Sequence, residues 1–425
     1  MGIFDRLTGR KKGNAPDENE LNREEKEQEN RIAELKKEYE DIKWPVIIRL
    51  NPVNTEAEDA QVMDETVDEE RKREIGELIF DEDISSDTLK FLNPQELLFL
   101  LTTLEVFNKK KALPGYESNH RKVYNEILGR IRDAEFLYVI YDLNTGFPFI
   151  DHGYGNVYFE EDLARKACEM FNKQFRKTEP KKCPINSVDD NTKNLGFFDF
   201  LYYTGIDNLI IDNGAYRARF KRNEIVPAAA EWSSEKTNMP INPKLNFAML
   251  DFLEEIKWPV KYEKRTEVLK AKELRMMTFL RGSKLLVPIQ HEGPAEMMDD
   301  GRIKLTKDTK LRFLVMRTND DKEFIPVFTD TNEFAKLQGA REWNAGVFAY
   351  ADILKLVNEK DGIRINPEGQ GLVFQKERLY EFEKMMQQQI NQAKASKASN
   401  AAKAPHALKE SNATKSVDEE DTEKD

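Results

Sequence analysis

The residues of this chain best placed to do chemistry are carboxylates and amides at the ends of β-rich segments. Asp142, Asp151 and Asp212 end three such segments in the first half, and Asp330, Asp361 and Asn366 do so in the second. Side chains of this kind that converge on one sheet edge can hold a cation or small polar ligand, or move a proton. Asp and Asn also occupy turns for a simpler reason, because they hydrogen-bond nearby backbone amides. The candidate binding set is Thr329, Asp330, Asn366 and Pro367 in the second half, with Asp212 and Asn213 in the first. Other residue types give less. His120, His152, His291 and His406 include no pair at helix-face metal spacing, and Cys168 and Cys183 form no Cys-x-x-Cys, so no metal site is expected. Gly153-Tyr154-Gly155 precedes a strand, the wrong context for a phosphate cradle. Arg281-Gly282-Ser283-Lys284 is too short to define one. No catalytic set emerges and no cofactor is implied.

The elements that would position these residues occur twice. Phe136–Val226 and Phe313–Tyr380 each run from a β-rich segment ending in an aromatic, through a helical insert, to a hairpin. Ile211 to Phe220 and Ile365 to Phe374 both span nine positions, and the first hairpin turns on Asp212-Asn213-Gly214. Phe147-Pro148-Phe149 aligns by type with Phe324–Val327. Each half opens with Asn-Pro before a helix, at Asn93-Pro94 and Asn242-Pro243. Asparagine is a good N-cap, and proline at the first helical position forfeits no hydrogen bond. Thr178–Asn194 reads as an inserted polar loop and Phe348–Val357 as a helix. The aromatic helix Phe197–Tyr203 is expected to pack between the two modules or against a partner. The fold class is α+β: two tandem mixed helix/sheet modules of similar topology. Their expected bounds are 91–238 and 239–392, between a charged N-terminal arm (1–90) and a disordered tail (393–425).

Composition fits this division. Of the 425 residues 39% are hydrophobic, enough for two cores, and the formal net charge is −12. Thr55–Asp83 carries 13 acidic against three basic residues, so most of the excess sits in the arm. The arm also holds a charged, coiled-coil-like helix, Asp17–Ile42, stopped at Trp44-Pro45, and an apolar stretch, Val46–Leu50, suited to a sheet edge. An acidic chain repels phosphate backbones, so nucleic acid is not an expected partner. No stretch approaches the ~20 apolar residues of a membrane span, so stable membrane insertion is not expected. Gly2–Lys12 could at most touch a membrane surface weakly. Low cysteine use suits a reducing cytoplasm.

Three segments of the second half carry a family resemblance. Ser283-Lys284-Leu285-Leu286-Val287-Pro288, Ile325–Asp330 and Ile363–Pro367 occur in the order of the strand and turn motifs of the SseB N-terminal domain family, the enhanced serine sensitivity proteins. The second module, from Asn242 to Leu379, resembles that family. The first looks like a divergent relative, with Asp212-Asn213 where the second has Asn366-Pro367. The resemblance implies a small α/β domain and brings no catalytic residues. The reading is therefore a cytoplasmic, non-enzymatic protein-interaction or regulatory module whose protein partner the sequence does not name. The competing reading is a small-ligand or metal binder, or an enzyme, using the carboxylates at the strand-end turns.

Overall fold

Helix caps and apolar spacing build the first layer. Asn93 accepts from the Glu96 amide at 2.9 Å, and the Glu96 carboxylate accepts from the Asn93 amide at 2.8 Å, closing a capping box at the start of α4 (Pro94–Lys110). Helix α5 (Tyr116–Arg132) then buries Val123, Ile127 and Ile131, one apolar residue per turn. The structure, a computed structural model, describes residues 18–45, 67–186, 195–211, 216, 218–227, 239–298, 303–305 and 308–410. Expectations placed on Gly2–Lys12, Val46–Leu50 and the Asp212-Asn213 turn lie outside the described residues. The chain divides into two units: Met1–Lys236 with Leu253–Thr266, and Thr237–Phe252 with Glu267–Asp425.

Before α4 the first unit has α1 (Glu18–Glu38), α2 (Glu69–Gly76), a 3-10 turn (Glu77–Phe80) and α3 (Ser86–Phe91). Val67, Ile75, Ile79, Ile84 and Leu89 are buried. Core residues thus come from a stretch whose sequence reads as part of a solvated arm, because apolar residues spaced among its acids are buried. Tyr39, just past α1, packs on Phe80 and Phe107 and donates its hydroxyl to the Ala112 carbonyl at 2.7 Å.

The first unit's sheet uses β1 (Phe136–Asp142), β2 (Phe147–Pro148), β3 (Ile150–Asp151), β4 (Tyr154–Tyr158), β5 (Thr178–Pro184), β6 (Asn208–Ile211) and β7 (Ala218–Lys221). Strand β1 pairs antiparallel with β5 along one side and with β2 and β4 along the other. Strands β4 and β6 are parallel, and β6 and β7 antiparallel. Helix α6 (Glu161–Lys173) seals one face, burying Leu163, Ala167, Met170 and Phe171 beside Phe149 and Tyr158. Helices α7 (Phe197–Thr204) and α8 (Arg222–Ile225) complete the unit. The aromatic helix α7 buries Phe197, Phe198 and Leu201 and stacks Phe200 on Phe147, a contact inside its own unit.

The second unit repeats this order. Helices α9 (Pro243–Lys257, whose last turn belongs to the first unit) and α10 (Arg265–Gly282) stand where α4 and α5 do. The strands are β8 (Lys284–Glu292), β9 (Ala295–Met297), β10 (Ile303–Leu305), β11 (Lys310–Phe313), β12 (Met316–Arg317), β13 (Glu323–Val327), β14 (Asn344–Ala349), β15 (Gly362–Ile365) and β16 (Leu372–Gln375). The helices are α11 (Thr331–Ala335), α12 (Tyr350–Leu356) and α13 (Lys376–Glu410). Strand β8 pairs antiparallel with β14 on one side, as β1 does with β5. On its other side it meets β11 and, through paired 2.8 Å bonds between Leu286 and Phe328, the end of β13. Strands β13 and β15 are parallel, and β15 and β16 antiparallel. The two hairpins share one register: Ile211 faces Ala218 and Ile365 faces Leu372, each seven residues on.

Three expectations change. Strand β5 lies in a stretch read as a loop, and the last two residues of β14, Phe348 and Ala349, fall where the sequence reads the start of a helix. Phe147-Pro148 belongs to the strand beside β1, so the counterpart of Phe324–Val327 is β4.

Candidate functional site

The parallel strands β13 and β15 end side by side, Val327 opposite Ile365. The residues that follow are Thr329-Asp330 and Asn366-Pro367, so the fold brings four of the six candidate residues together. Asp212 and Asn213 lie outside the described residues. Thr329, Asp330, Asn366 and Pro367 are all buried. Asn366 holds φ at 45°, a left-handed conformation that asparagine tolerates better than most residues.

Each polar atom at the centre has a protein partner. The Asn366 Oδ1 accepts from the Thr329 amide at 3.0 Å. Its Nδ2 donates to Gln370 Oε1 (2.7 Å), Thr329 Oγ1 (2.9 Å) and Asn246 Oδ1 (3.2 Å). Asp330 Oδ1 caps α11, accepting from the amides of Asn332 (2.9 Å) and Glu333 (3.0 Å). Asp330 Oδ2 accepts from Thr329 Oγ1 (2.8 Å) and Asn246 Nδ2 (3.4 Å). Asn242 ties the node to β8, donating through Nδ2 to the carbonyls of Thr329 (2.6 Å) and Lys284 (2.8 Å). Both carboxylate oxygens of Asp330 are thus engaged, and the arrangement acts as a brace joining two strand ends, a helix start and α9.

Chemical capacity is greater at the rim. Burial pushes the Glu333 carboxyl above the usual carboxylate range, against the opposing pull of Lys336, whose ammonium lies 2.6 Å from Oε1. Glu333 Oε2 and Gln370 Nε2 are buried and make no hydrogen bond among the described residues. Gly369 packs closely here: a Cβ would sit 2.3 Å from Glu333 Oε2 and would displace that carboxylate. The remaining turn-end acids do turn chemistry. Asp142 Oδ1 accepts from the Asn144 and Thr145 amides at 2.9 and 2.8 Å, and Asp361 accepts from the Glu323 amide at 2.7 Å. Among the described residues, no group of three or more His, Cys, Asp or Glu could hold a metal ion.

Sequence reasoning missed Asn246, Gln370 and Glu333. Asn242 and Asn246 sit four residues apart at the start of α9, and Asn246 interrupts the apolar series Leu245, Ala248, Met249, which is a legible sign of a buried polar contact. Strand register shows what the first unit has instead. Val157 opposite Ile211 matches Val327 opposite Ile365, so Phe159 and Glu160 stand at the positions of Thr329 and Asp330. The Asn-Pro starts align Leu97 with Asn246. Glu160, at the α6 N-cap, makes no capping bond with its side chain. The polar node belongs to the second unit.

The two outer strands differ in a second way. Strand β5, Thr-Glu-Pro-Lys-Lys-Cys-Pro, carries two prolines and three charges. Strand β14, Asn-Ala-Gly-Val-Phe-Ala, carries neither. Tyr350 donates its amide to the Ser283 carbonyl, which fixes the even-numbered positions as those facing β8; proline at 288, opposite Ala345, agrees. The amides and carbonyls of Ala345, Val347 and Ala349 therefore point away from β8, to a side that pairs with no strand among the described residues, and Val347 is 44% exposed. A cavity of about 370 Å³ lies beside α1 in the first unit, where Ile32, Leu35 and Phe80 line it with Arg31 and Glu82.

Residues 265–381 match the family model of the SseB protein N-terminal domain. The match begins with α10 and ends in α13, so it holds strands β8–β16 and most of the polar node, while Asn242 and Asn246 precede it. No curated protein and no solved structure matches the chain.

Proposed function

With residues 265–381 as an SseB N-terminal domain, we propose that this chain is a non-enzymatic protein-interaction module of the cytoplasm whose second unit takes up a partner strand along β14. The observation that carries this reading is the contrast between two topologically equivalent edges. An edge strand presents unpaired amides and carbonyls, and proteins that must not pair there guard it with charge, proline or brevity. Strand β5 is guarded in all but length; the six residues of β14 are uncharged and proline-free. A partner strand added to such an edge gains main-chain hydrogen bonds along its length and reads side chains at alternate positions. Two buried free cysteines, Cys168 and Cys183, accord with a reducing compartment.

The test is a pull-down with the full chain under mild crosslinking, comparing wild type with Val347→Pro and Val347→Lys. Proline at 347 removes an outward amide and leaves pairing with β8 intact. A stoichiometric partner bound by wild type and lost from both variants is the expected result. Recovery unchanged in the variants, or no stoichiometric partner for wild type, refutes the reading.

The competing reading, a small-ligand site, draws on Glu333 Oε2 and Gln370 Nε2, the buried atoms at the node's rim without a hydrogen-bond partner among the described residues. A thermal-shift screen with divalent metals, nucleotides and amino acids separates the two, because a ligand of the native state raises apparent stability.

A further inference from the structure

Three loops of the first unit are pinned together. The Leu143 amide donates to the Lys177 carbonyl at 2.7 Å, joining the β1–β2 turn to the segment between α6 and β5. Lys257 Nζ donates to the Asn144 carbonyl at 2.6 Å, and Trp258 Nε1 to the Gln174 carbonyl at 2.9 Å, adding the segment after α9. The Arg176 guanidinium lies 3.7 Å from the centre of the Trp258 ring and locks the three.

Two of the loops and the last turn of α9 put an apolar side chain into solvent: Phe175 is 67% exposed, Leu143 54% and Ile256 49%. Phe175 is the informative one. The Arg176 amide bonds the Phe171 carbonyl at 3.1 Å and the Phe175 amide bonds the Asn172 carbonyl at 3.0 Å, which is the Schellman ending of α6. Phe175 occupies its left-handed position at φ 62°, where glycine or asparagine is the ordinary choice. A bulky side chain there is strained, and core burial does not compensate for it, since the ring faces outward.

The charges beside these tips are lysines. Lys177, Lys261 and Lys264 are exposed on the same loops, with Glu263 as the acid among them. The arginines are used internally: Arg176 on Trp258, and Arg265 donating through Nη2 to the carbonyls of Glu255, Ile256 and Trp258. Protein–protein interfaces are depleted in lysine and favour arginine, whereas lysines around separate apolar tips suit an anionic, soft apolar phase. The chain carries −12, most of it in Thr55–Asp83, so that stretch is repelled from an anionic layer.

We propose that this loop cluster is a peripheral docking surface for an anionic lipid bilayer. Phe175, Leu143 and Ile256 enter the interfacial layer, and Lys177, Lys261 and Lys264 meet the lipid headgroups. This surface belongs to the first unit, and the β14 edge to the second.

The test is cosedimentation of the full chain with vesicles of phosphatidylcholine alone or mixed with phosphatidylglycerol. Wild type is expected on the anionic vesicles, with binding that weakens as salt is raised. Phe175→Asn suits the left-handed position, so it keeps or raises the melting temperature while binding drops at least about tenfold. Changing Lys177, Lys261 and Lys264 to glutamine costs about fivefold each. Val347→Pro leaves vesicle binding unchanged, which separates this proposal from the one at β14. Absence of wild-type binding overturns the proposal. So does binding that survives Phe175→Asn and the triple lysine change, or that is lost only on deleting residues 2–12. Capture of an acidic protein by these lysines, with no vesicle binding, overturns it as well.

Discussion

Replacing Asn366 by alanine tests whether the buried node is a brace. Alanine leaves the buried Thr329 amide with no acceptor, because Asn366 Oδ1 is its partner at 3.0 Å. An unsatisfied buried amide costs about 1–3 kcal/mol. The Nδ2 bonds to Gln370 and Thr329, at 2.7 and 2.9 Å, are lost with it. Each contributes about 1 kcal/mol net. Alanine must also adopt the left-handed backbone at φ 45°, at roughly 1 kcal/mol. The sum, about 4–6 kcal/mol, falls on the second unit. Asn366→Gly removes the same bonds without the backbone term and should be milder than alanine by about 1 kcal/mol. A two-unit chain need not unfold in one step, so a global melt is the wrong readout. Native-state amide exchange resolves the units: protection in β13 and β15 should fall by the stated amount, while β4 and β6 serve as the internal control. A loss below about 1 kcal/mol in the second unit, equal effects of alanine and glycine, or an equal loss in both units refutes the brace.

Two further outcomes follow from burial and contact. Burial pushes the Cys168 thiol up to about 11, and raises that of Cys183 as well, so both stay protonated in the fold. Neither should react with a thiol reagent in the native protein at neutral pH, and both should react in denaturant; rapid native labelling counts against the packing. The sign of the linkage is fixed: the contribution is complete below the ordinary thiol range and is lost as pH rises from there through about 11, so the melting temperature falls in that window. At Gly76, where helix propensity alone favours alanine by about 1 kcal/mol, the substitution should instead destabilise. A Cβ would lie 2.3 Å from the Trp44 ring, which stacks on Phe107 at 5.2 Å. Gly76→Ala is expected to cost about 1–3 kcal/mol and red-shift tryptophan emission; an unchanged or raised melting temperature would contradict this placement of Trp44.

What the sequence disclosed divides by the kind of force involved. Local backbone chemistry was legible: Asn93-Pro94 capped its helix, Trp258-Pro259 ended one at Lys257, and equal hairpin spacing became equal register. Strands β5 and β14 were not legible, because an outer strand needs little apolar alternation when its partner supplies the pairing. Thr-Glu-Pro-Lys-Lys-Cys-Pro has the composition of a loop, and only the seven-residue ladder to β1 makes it a strand. Four of the candidate residues could be brought together because they end adjacent parallel strands. Their role could not be read, since it depends on Asn246 and Gln370, residues unremarkable in type, and on burial that composition does not report.

The difference between the units has a physical logic in the helix that follows β4 or β13. Helix α6 runs 13 residues and buries Leu163, Ala164, Ala167, Cys168, Met170 and Phe171, so apolar contact does most to fasten it to the sheet, with Asn172 and Thr178 hydrogen-bonded at its end. Its N-cap, Glu160, can then go without a side-chain bond, and the matching positions can hold Leu97 and Phe159. Helix α11 has five residues and buries only Phe334 and the carboxyl-bearing Glu333. A single buried aromatic contributes about 1.5–3 kcal/mol, too little to hold one helical turn and the strand end before it. The Asp330 cap and the Thr329–Asn366–Asn246 bonds provide that attachment through hydrogen bonds in a dry site, where each is stronger than it would be in water. One strand order is thus fastened in two ways, by an apolar helix in the first unit and by a polar node in the second. The node is accounted for by the shortness of α11, with no reaction needed to explain its conjunction of carboxylate, amide and hydroxyl.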